Sequence, residues 1–232
     1  MADTPLALVV GANRGIGLGV VKEMLQTGWS VIATARNPGE ANELNALAAA
    51  HPGKLELLPL EMNDAARLDA FAGAMAGRTL DAVLLNAGVS GPEHRSASHA
   101  NEAEIGALMF TNAIAPIRLA RALAGSVRRD TGVVAFTSSV MGSVALNAGG
   151  HELYRASKAA LNSLSRGLWS ELKGRGLTLL SLHPGWVRTY MGGSAAPVAV
   201  DESARGLVAT IARARGTHRH AFIDYQGTEF AW

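Results

Sequence analysis

VVGANRGIG, residues 9–17, ends an apolar run with three glycines, Gly11, Gly15 and Gly17. A glycine turn that follows a strand and opens a helix lets a phosphate group approach backbone N–H groups at the positive end of that helix. The spacing G-x-x-x-G-x-G differs from the G-x-G-x-x-G pattern of the general dinucleotide-binding turn. We therefore interpret residues 9–17 as a candidate phosphate-binding turn, with a tight strand–helix connection that binds nothing as the alternative.

Seven short apolar runs alternate with longer, alanine-rich segments along the chain. The runs are rich in leucine or β-branched residues, as in buried parallel strands, and the longer segments have helical apolar spacing. This alternation predicts an α/β, doubly wound parallel sheet (a Rossmann fold) of about seven strands with helices on both faces. The predicted strands are 6–10, 30–34, 55–60, 82–85, 132–137, 178–182 and 221–223, and the predicted helices include 16–26, 64–75, 102–123, 153–173 and 201–214.

The composition narrows the class of protein. The 232 residues are 48% hydrophobic and 17% charged, which suits one sizeable core, and no repeat or linker divides residues 1–232, so we expect a single domain. The net charge is only +2 and the arginines are dispersed, so no nucleic-acid partner is expected. Cysteine is absent and the histidines lack ligand spacing, so no metal site is expected. Without a signal-peptide pattern or a long apolar run, we expect a cytoplasmic protein that does not bind membranes.

The end of the second predicted strand bears on which dinucleotide would bind. An acidic residue there would bind the ribose hydroxyls of NAD, whereas an arginine would accommodate the 2′-phosphate of NADP. The strand ends Thr34-Ala35-Arg36, and the next carboxylate is that of Glu40. Arg14 projects from the glycine turn toward the same corner, so two guanidiniums could bind one phosphate. We therefore expect NADP(H), with a merely solvated Arg36 as the alternative.

A second candidate site lies in SSVMGSVALNAGGHELYRASKAALN, residues 138–162. Tyr154 and Lys158 are four residues apart in a predicted helix, so their side chains share one face. A lysine ammonium near a phenol favours the phenolate, which would lower the tyrosine pKa from about 10 toward the range of a general acid. Ser139, just after the fifth strand, is placed to bind a carbonyl oxygen. Tyrosine and lysine also occur at this spacing by chance, so the spacing alone does not define a catalytic pair.

Taken in order, these stretches resemble the short-chain dehydrogenase/reductase family over nearly the whole chain. The matching segments are the glycine turn, Asn86-Ala87-Gly88, the Ser139 region, Tyr154-x-x-x-Lys158 and Pro184-Gly185-Trp186-Val187-Arg188-Thr189. Residues 154–162, the HPGWVRT segment at 183–189 and the closing Asp224-Tyr225-x-Gly227 are similar to the C-factor/sniffer branch of that family, which is itself similar to carbonyl reductases.

The resemblance implies a catalytic set of Asn112, Ser139, Tyr154 and Lys158. Tyr154 would donate a proton to a carbonyl oxygen, Lys158 would lower the tyrosine pKa and bind the nicotinamide ribose, and Ser139 would orient the substrate. Asn112 would complete a tetrad. The cofactor-binding residues expected from the turn, the second strand and the resemblance are Gly11, Asn13, Arg14, Gly15, Ile16, Gly17, Arg36, Glu61, Met62, Asn86, Ala87, Gly88, Tyr154, Lys158, Pro184, Gly185, Val187 and Thr189.

Three positions qualify these expectations. Val10 stands where the family usually has a threonine, and Glu61 stands where an aspartate is usual. Pro116 lies inside the predicted helix 102–123 and has no N–H for the carbonyl of Asn112, four residues earlier. We expect a kink there, which would free that oxygen for an ordered water and a proton relay from Lys158; a proline kink that serves only packing is the alternative.

The implied activity is the reversible reduction of a small apolar or aromatic carbonyl compound by NADPH. A loose stretch at 190–200, rich in glycine, alanine and proline, is the candidate lid. Two alternatives remain: NAD-dependent oxidation of a cyclic alcohol or dihydrodiol, and an NADP-binding signalling protein without turnover. The family resemblance also implies a homodimer or homotetramer. The candidate substrate-pocket residues are Val89, Ser90, Val140, Met141, Leu146, His151, Trp186, Tyr190 and Met191.

Overall fold

The computed structural model describes residues 4–232, which contain a parallel sheet in the strand order β3-β2-β1-β4-β5-β6-β7. Each neighbouring pair of strands is parallel, which confirms the predicted doubly wound α/β fold. The order reverses between β1 and β4, and in such sheets ligands bind in the crevice at the carboxyl ends of the strands at that point. The strands are β1 (Leu6–Val10), β2 (Ser30–Ala35), β3 (Leu55–Pro59), β4 (Ala82–Leu85), β5 (Val133–Thr137), β6 (Thr178–His183) and β7 (His220–Asp224).

The helices cover both faces of the sheet. Alternate residues of β1 point to opposite faces, so Ala7 and Val9 join one apolar cluster and Leu8 and Val10 join the other. The first cluster includes residues of α1, α2 and α7, and the second includes residues of α3, α5 and α6. No helix within residues 4–232 has the length and apolar character to cross a membrane. The helices are α1 (Gly15–Gln26), α2 (Asn42–Ala50), α3 (Ala65–Ala74), α4 (Glu102–Met109), α5 (Ala115–Leu123), α6 (Glu152–Leu172) and α7 (Val200–Ala214).

The predicted helix 102–123 is interrupted by a π-helical turn over Phe110–Ile114. Pro116 follows directly in the first turn of α5, where a residue without an N–H is tolerated. The backbone N–H of Ala115 donates to the carbonyl of Phe110, five residues earlier, so the hydrogen bonding widens just before the proline. Asn112 lies in the middle of this turn and is buried. At the position where the sequence predicts a proline kink, the helix contains this π turn.

A buried carboxylate ties several elements together at the amino end of the sheet. Asp81, directly before β4, has a side chain only 3% exposed. Its oxygens accept hydrogen bonds from the backbone N–H of Leu6 at 3.0 Å, from Arg128 Nε at 2.8 Å and from Arg215 Nη2 at 2.7 Å. Hydrogen bonds to an ionised acceptor are stronger than neutral ones. Asp81 therefore fixes β1, β4 and the end of α7 on the side of the sheet opposite the glycine turn.

We expect Asp81→Asn to lower the free energy of unfolding by about 2–3 kcal/mol, because it replaces charge-assisted hydrogen bonds at a buried position by weaker neutral ones. Urea denaturation followed by circular dichroism measures this loss. Asp69→Asn is the control, since Asp69 pairs with Arg118 at the surface and exposed ion pairs contribute little. Equal losses in the two variants would contradict this account of Asp81.

Candidate active site

The glycine turn connects β1 to α1 at the carboxyl end of the sheet. Gly11 and Gly15 have φ angles of 80° and 56°, in the left-handed region that favours glycine. A Cβ on Gly17 would lie 2.3 Å from the carbonyl oxygen of Gly11, and a Cβ on Gly11 would lie 2.9 Å from Ala87. The first turn of α1 contains no acidic residue, and its N-cap, Arg14, makes no side-chain capping hydrogen bond. The N-terminus of α1 is therefore open to an anion.

Side chains from the neighbouring strands hold this turn in place. The N–H of Gly11 donates to the hydroxyl of Thr34 at 3.2 Å, and its carbonyl accepts from Asn86 Nδ2 at 2.9 Å. Asn86 accepts in turn from the hydroxyl of Thr137 at 3.1 Å. Val10 brings no hydroxyl to the turn, but Thr34 supplies one from the adjacent strand. This role of Thr34 was not predicted, and its one signal in the sequence is the position of Thr34 near the end of a strand that pairs with β1.

A polar cavity of about 670 Å³ opens beside the turn, at the carboxyl end of β2. Glu40 accepts a hydrogen bond from Asn37 at 3.2 Å, and Glu43 pairs with Lys22 at 3.2 Å. Within residues 4–232 no carboxylate pairs with Arg36, so its guanidinium is free to bind an anion. Met62, which follows Glu61 in the chain, is buried. The cavity is lined by Asn13, Ala35, Arg36, Asn37, Glu40, Ala41, Asn42, Glu43 and Glu61.

Arg14 differs from its expected position. The sequence predicts Arg14 beside Arg36 at one phosphate, but the guanidinium of Arg14 lies over the ring of Tyr190, 5.1 Å from the ring centroid. An aromatic face attracts a cation at this distance. A Cβ on Gly15 would lie 3.4 Å from Cγ2 of Thr189, so the segment after β6 also approaches the turn. The glycine turn and the candidate lid are thus in contact across the cleft.

The candidate lid, residues 190–200, is more ordered than its composition predicts. The guanidinium of Arg188 donates to the carbonyls of Ala196 at 3.0 Å and Pro197 at 2.7 Å, and the indole of Trp186 donates to the carbonyl of Gly192 at 2.8 Å. Sequence analysis had not assigned this role to Arg188. Four candidate cofactor residues lie at the start of the loop after β6: Pro184, Gly185, Val187 and Thr189. The carbonyl of Pro184 accepts a hydrogen bond from Ser203 of α7, and the hydroxyl of Thr189 accepts one from the N–H of Gly192. Val187 is buried.

The candidate catalytic residues meet next to the turn. Ser139 follows β5, and Tyr154 and Lys158 lie one turn apart on α6. Lys158 Nζ donates to the carbonyl of Thr137 at 2.7 Å and lies 5.7 Å from the centroid of the Tyr154 ring. The hydroxyl of Ser139 lies close to the phenol of Tyr154 and acts to lower the pKa of that phenol. Ser139 Oγ also accepts from the N–H of Met141 at 3.1 Å, which fixes its position.

Asn112 links the loop after β4 to α6. Its side-chain oxygen accepts from the N–H of Val89, and its Nδ2 donates to the carbonyl of Val89, both at 2.9 Å. Nδ2 also donates to Ser157 Oγ at 3.0 Å, and that hydroxyl donates to the carbonyl of Tyr154 at 2.8 Å. A Cβ on Gly88 would lie 3.3 Å from Asn112 Oδ1 and 3.5 Å from Lys158 Nζ, so the approach to Gly88 is close. The hydrogen bonds by which Ser157 connects Asn112 to the backbone of Tyr154 were not predicted from the sequence.

Burial dominates the electrostatics of this pair. It raises the pKa of Tyr154 to about 12, with the hydrogen bond to Ser139 acting in the opposite direction, and it lowers the pKa of Lys158 to about 8. The expected lowering of the tyrosine pKa is therefore wrong for this structure, because loss of solvation favours the neutral form of both groups. Tyr154 holds its proton, and Lys158 is close to losing its own at mildly alkaline pH.

Two other candidate cofactor residues, Ile16 and Ala87, lie at the base of the glycine turn. Ile16 packs partly buried against the apolar cluster below the turn, and Ala87 donates its N–H to the carbonyl of Val10 at 3.1 Å. Both therefore support the backbone of the turn. Within the described part of the chain, no group of three or more His, Asp or Glu residues is arranged to hold a metal ion.

A glycine turn at the reversal of a parallel sheet, with serine, tyrosine and lysine beside it, is typical of an α/β oxidoreductase of the dinucleotide-binding class. The chain belongs to the short-chain dehydrogenase family, since the family model described as short chain dehydrogenase matches residues 5–198. The family predicted from the sequence is thereby confirmed.

Three similar proteins place the chain within the family. C-signal of Myxococcus xanthus is 38% identical over 169 residues, which cover 70% of this chain and 99% of C-signal. A carbonyl reductase from Pseudomonas aeruginosa PAO1, crystallised in complex with NADP, is 43% identical with a TM-score of 0.92 and covers 99% of this chain and 100% of its own. The carbonyl reductase Sniffer of D. melanogaster is 31% identical with a TM-score of 0.89, and covers 99% and 100%. The chain is thus similar to the carbonyl-reductase branch.

The pKa of Lys158 generates a prediction about stability. It falls from 10.5 in the unfolded chain to about 8 in the folded one, so between these values the unfolded chain binds more protons and folding becomes more favourable as the pH rises. The stability of the wild type relative to Lys158→Met should therefore increase by about 3 kcal/mol from pH 8 to pH 10.5, and this gain is lost as the pH falls through 8. Urea titrations of both proteins across this range measure the difference. A difference independent of pH would show that Lys158 titrates normally.

Proposed function

We propose that the protein reduces small apolar or aromatic carbonyl compounds to alcohols with NADPH, in a reversible reaction. The observation that carries this proposal is the meeting of Ser139, Tyr154 and Lys158 beside the glycine turn. The similarity to carbonyl reductases of Pseudomonas aeruginosa and D. melanogaster supports the same reaction class.

The residues around the cleft fit NADP(H). The open N-terminus of α1 and the close approach at Gly11 and Gly17 suit a pyrophosphate. The guanidinium of Arg36 has no carboxylate partner among residues 4–232 and suits the 2′-phosphate, since Glu40 and Glu43 in the same cavity pair with other residues. When bound, the nicotinamide supplies a hydride to the carbonyl carbon.

Tyr154 holds the proton that the carbonyl oxygen receives. Its raised pKa of about 12 keeps the phenol protonated at neutral pH, so the donor is in the required state before reaction. The hydroxyl of Ser139, fixed by the N–H of Met141, is available to orient the same carbonyl oxygen. Two hydroxyls thus converge on one acceptor.

Lys158 stabilises the phenolate that forms when the proton leaves Tyr154. An ammonium at this burial interacts strongly with a new negative charge, because little solvent screens the two groups. The carbonyl of Thr137 holds Nζ in place, so the cation is positioned before the charge develops. Lys158 can then return a proton toward Tyr154, which its lowered pKa of about 8 favours.

Exposed apolar side chains near the site favour an apolar or aromatic substrate. Trp186, Tyr190 and Met191 belong to the segment that reaches the glycine turn, and Val144 and Leu146 follow Ser139 in the chain. All five are large apolar side chains with about half or more of their surface exposed, which makes them available to an apolar ligand. Two of these five, Val144 and Leu146, lie on the same short loop.

We also propose a cytoplasmic location and a homodimer or homotetramer. The assembly proposal is supported by Ile105 of α4 and Ile114 of the π turn, whose apolar side chains are 40% and 42% exposed. Apolar side chains exposed on helices suit a contact between copies of the chain.

The principal test is Tyr154→Phe, which removes only the proton donor. We expect kcat for an aromatic aldehyde with NADPH to fall about 10²–10⁴-fold, with NADPH affinity nearly unchanged. Steady-state assays at saturating NADPH measure kcat, and fluorescence titration with NADPH measures the cofactor affinity. Tight NADPH binding without turnover of aldehydes, quinones or cyclic ketones by the wild type would favour instead a signalling protein, the class that the similarity to C-signal suggests.

Arg36→Ala tests the choice of cofactor. We expect it to weaken NADPH binding roughly tenfold or more, because a charge-assisted contact to the 2′-phosphate contributes about 1.5–3 kcal/mol, and to leave NADH binding unchanged. Fluorescence titration of both cofactors measures the effect. Arg121→Ala, which removes a surface arginine paired with Glu171, is the matched control and should alter neither affinity. Equal losses for NADPH and NADH would count against a 2′-phosphate contact.

A further inference from the structure

The chain after β7 folds back along that strand. The N–H of Asp224 donates to the carbonyl of Thr228 at 2.9 Å, and the N–H of Phe230 donates to the carbonyl of Phe222 at 2.8 Å. We call residues 228–232 the strap. It runs antiparallel to β7 and covers the edge of the sheet.

Aromatic rings attach the strap to β7 and α6. The ring of Trp232 stacks on His220 with the centroids 4.5 Å apart, and His220 also stacks with Trp169 of α6 at 6.2 Å. Phe222 packs against both Phe230 and Trp232, with centroids 5.4 Å away in each case. Pairs of rings at these distances add stability beyond the area that they bury. The strap is therefore a packed element of the fold.

The strap also hydrogen-bonds the loop that follows the catalytic serine. We call residues 143–147 the substrate loop. Ser143 Oγ donates to the carbonyl of Ala231 at 2.7 Å, and the N–H of Ala145 donates to the carbonyl of Trp232 at 3.1 Å. Ser143 Oγ accepts in addition from the N–H of Leu146 at 3.1 Å. Ser143 is 1% exposed, so these bonds are shielded from water.

Different partners hold the chain on the two sides of Gly142. Before it, Ser138 Oγ donates to Asn162 Oδ1 at 2.7 Å, and Asn162 Nδ2 donates to the carbonyl of Gly142 at 3.2 Å, so α6 fixes the turn that carries Ser139. After it, the strap accepts hydrogen bonds from Ser143 Oγ and the N–H of Ala145, the N–H of Ser143 donates to the carbonyl of Val140 at 3.0 Å, and Val144 is 75% exposed. The exposed apolar side chains of the substrate loop thus depend on the strap for their position.

We propose that the strap positions the substrate loop as one wall of the substrate site and thereby sets the affinity for the carbonyl substrate. Trp232 is a positioning residue in this arrangement, since it holds the backbone of Ala145 and touches no reacting atom. The inference rests on the proposed reductase function. Because α6 holds Ser139 independently, the strap acts on substrate binding and leaves proton transfer unaffected.

Trp232→Ala in the full chain tests the proposal, with 4-nitrobenzaldehyde as the probe and NADPH as the reductant. We expect the KM for the aldehyde to rise at least fivefold, with kcat within twofold of the wild type and NADPH affinity unchanged. Hydrogen exchange read by mass spectrometry on peptides that span the substrate loop should become at least tenfold faster. Trp29→Phe, a change to a buried tryptophan on the α1–β2 connection, controls for a general loss of stability and should leave both readouts unchanged.

Ser143→Ala provides a second variant, which decides the matter if Trp232→Ala does not fold. It removes the hydrogen bond to Ala231 and the acceptor for Leu146, so it should raise KM and accelerate exchange in the same way. Unchanged exchange in the loop overturns the proposal, and so does faster exchange with an unchanged KM. If the wild type does not turn over the aldehyde or other carbonyl probes, the reductase function fails, and the exchange data alone decide whether the strap positions the loop.

Discussion

The close contact between Gly142 and the backbone of Lys158 determines how the catalytic side chains meet. A Cβ at Gly142 would lie 2.8 Å from the carbonyl carbon of Lys158, so no larger residue fits without moving the helix. This contact places the short turn after β5 directly on α6. Ser139 comes from the turn, and Tyr154 and Lys158 come from the helix, so their distances follow from one packing contact. The hydrogen bonds of Asn162 to both sides of that turn reinforce it.

The burial that accompanies this packing also shifts the pKa values of Tyr154 and Lys158. Lys158 is 4% exposed and has a backbone carbonyl as its hydrogen-bond acceptor, so its ammonium form carries a desolvation cost in the folded protein. A neutral tyrosine beside it does not offset that cost. An anion in the same space would offset it, so a negative charge beside Lys158 would be stabilised strongly. Burial of the Lys158 ammonium therefore lowers the stability of the folded protein at neutral pH.

The sequence predicted the sheet and the glycine turn well because both depend on local patterns. Buried strands appear as apolar runs, and only glycine tolerates the positive φ angle at Gly11 and the close backbone approach at Gly17. The misses depend on tertiary structure. Thr34 reaches the turn only because β2 pairs with β1, the guanidinium of Arg14 finds Tyr190 only when the loop folds over, and the pKa of Tyr154 follows from burial that spacing does not reveal.

Gly19 has a consequence for how ligands enter and leave. A Cβ at this position would lie 2.7 Å from Val200 and 3.1 Å from Ala204, so α1 and α7 pack closely through it. The glycine turn leads into α1, and the lid leads into α7, which means that both sides of the cleft end on the same rigid helix pair. With α1 and α7 packed in this way, the loop between β6 and α7 is the part of the cleft wall that can move without separating two helices. Movement of this loop would open the cleft while α1 stays packed on α7.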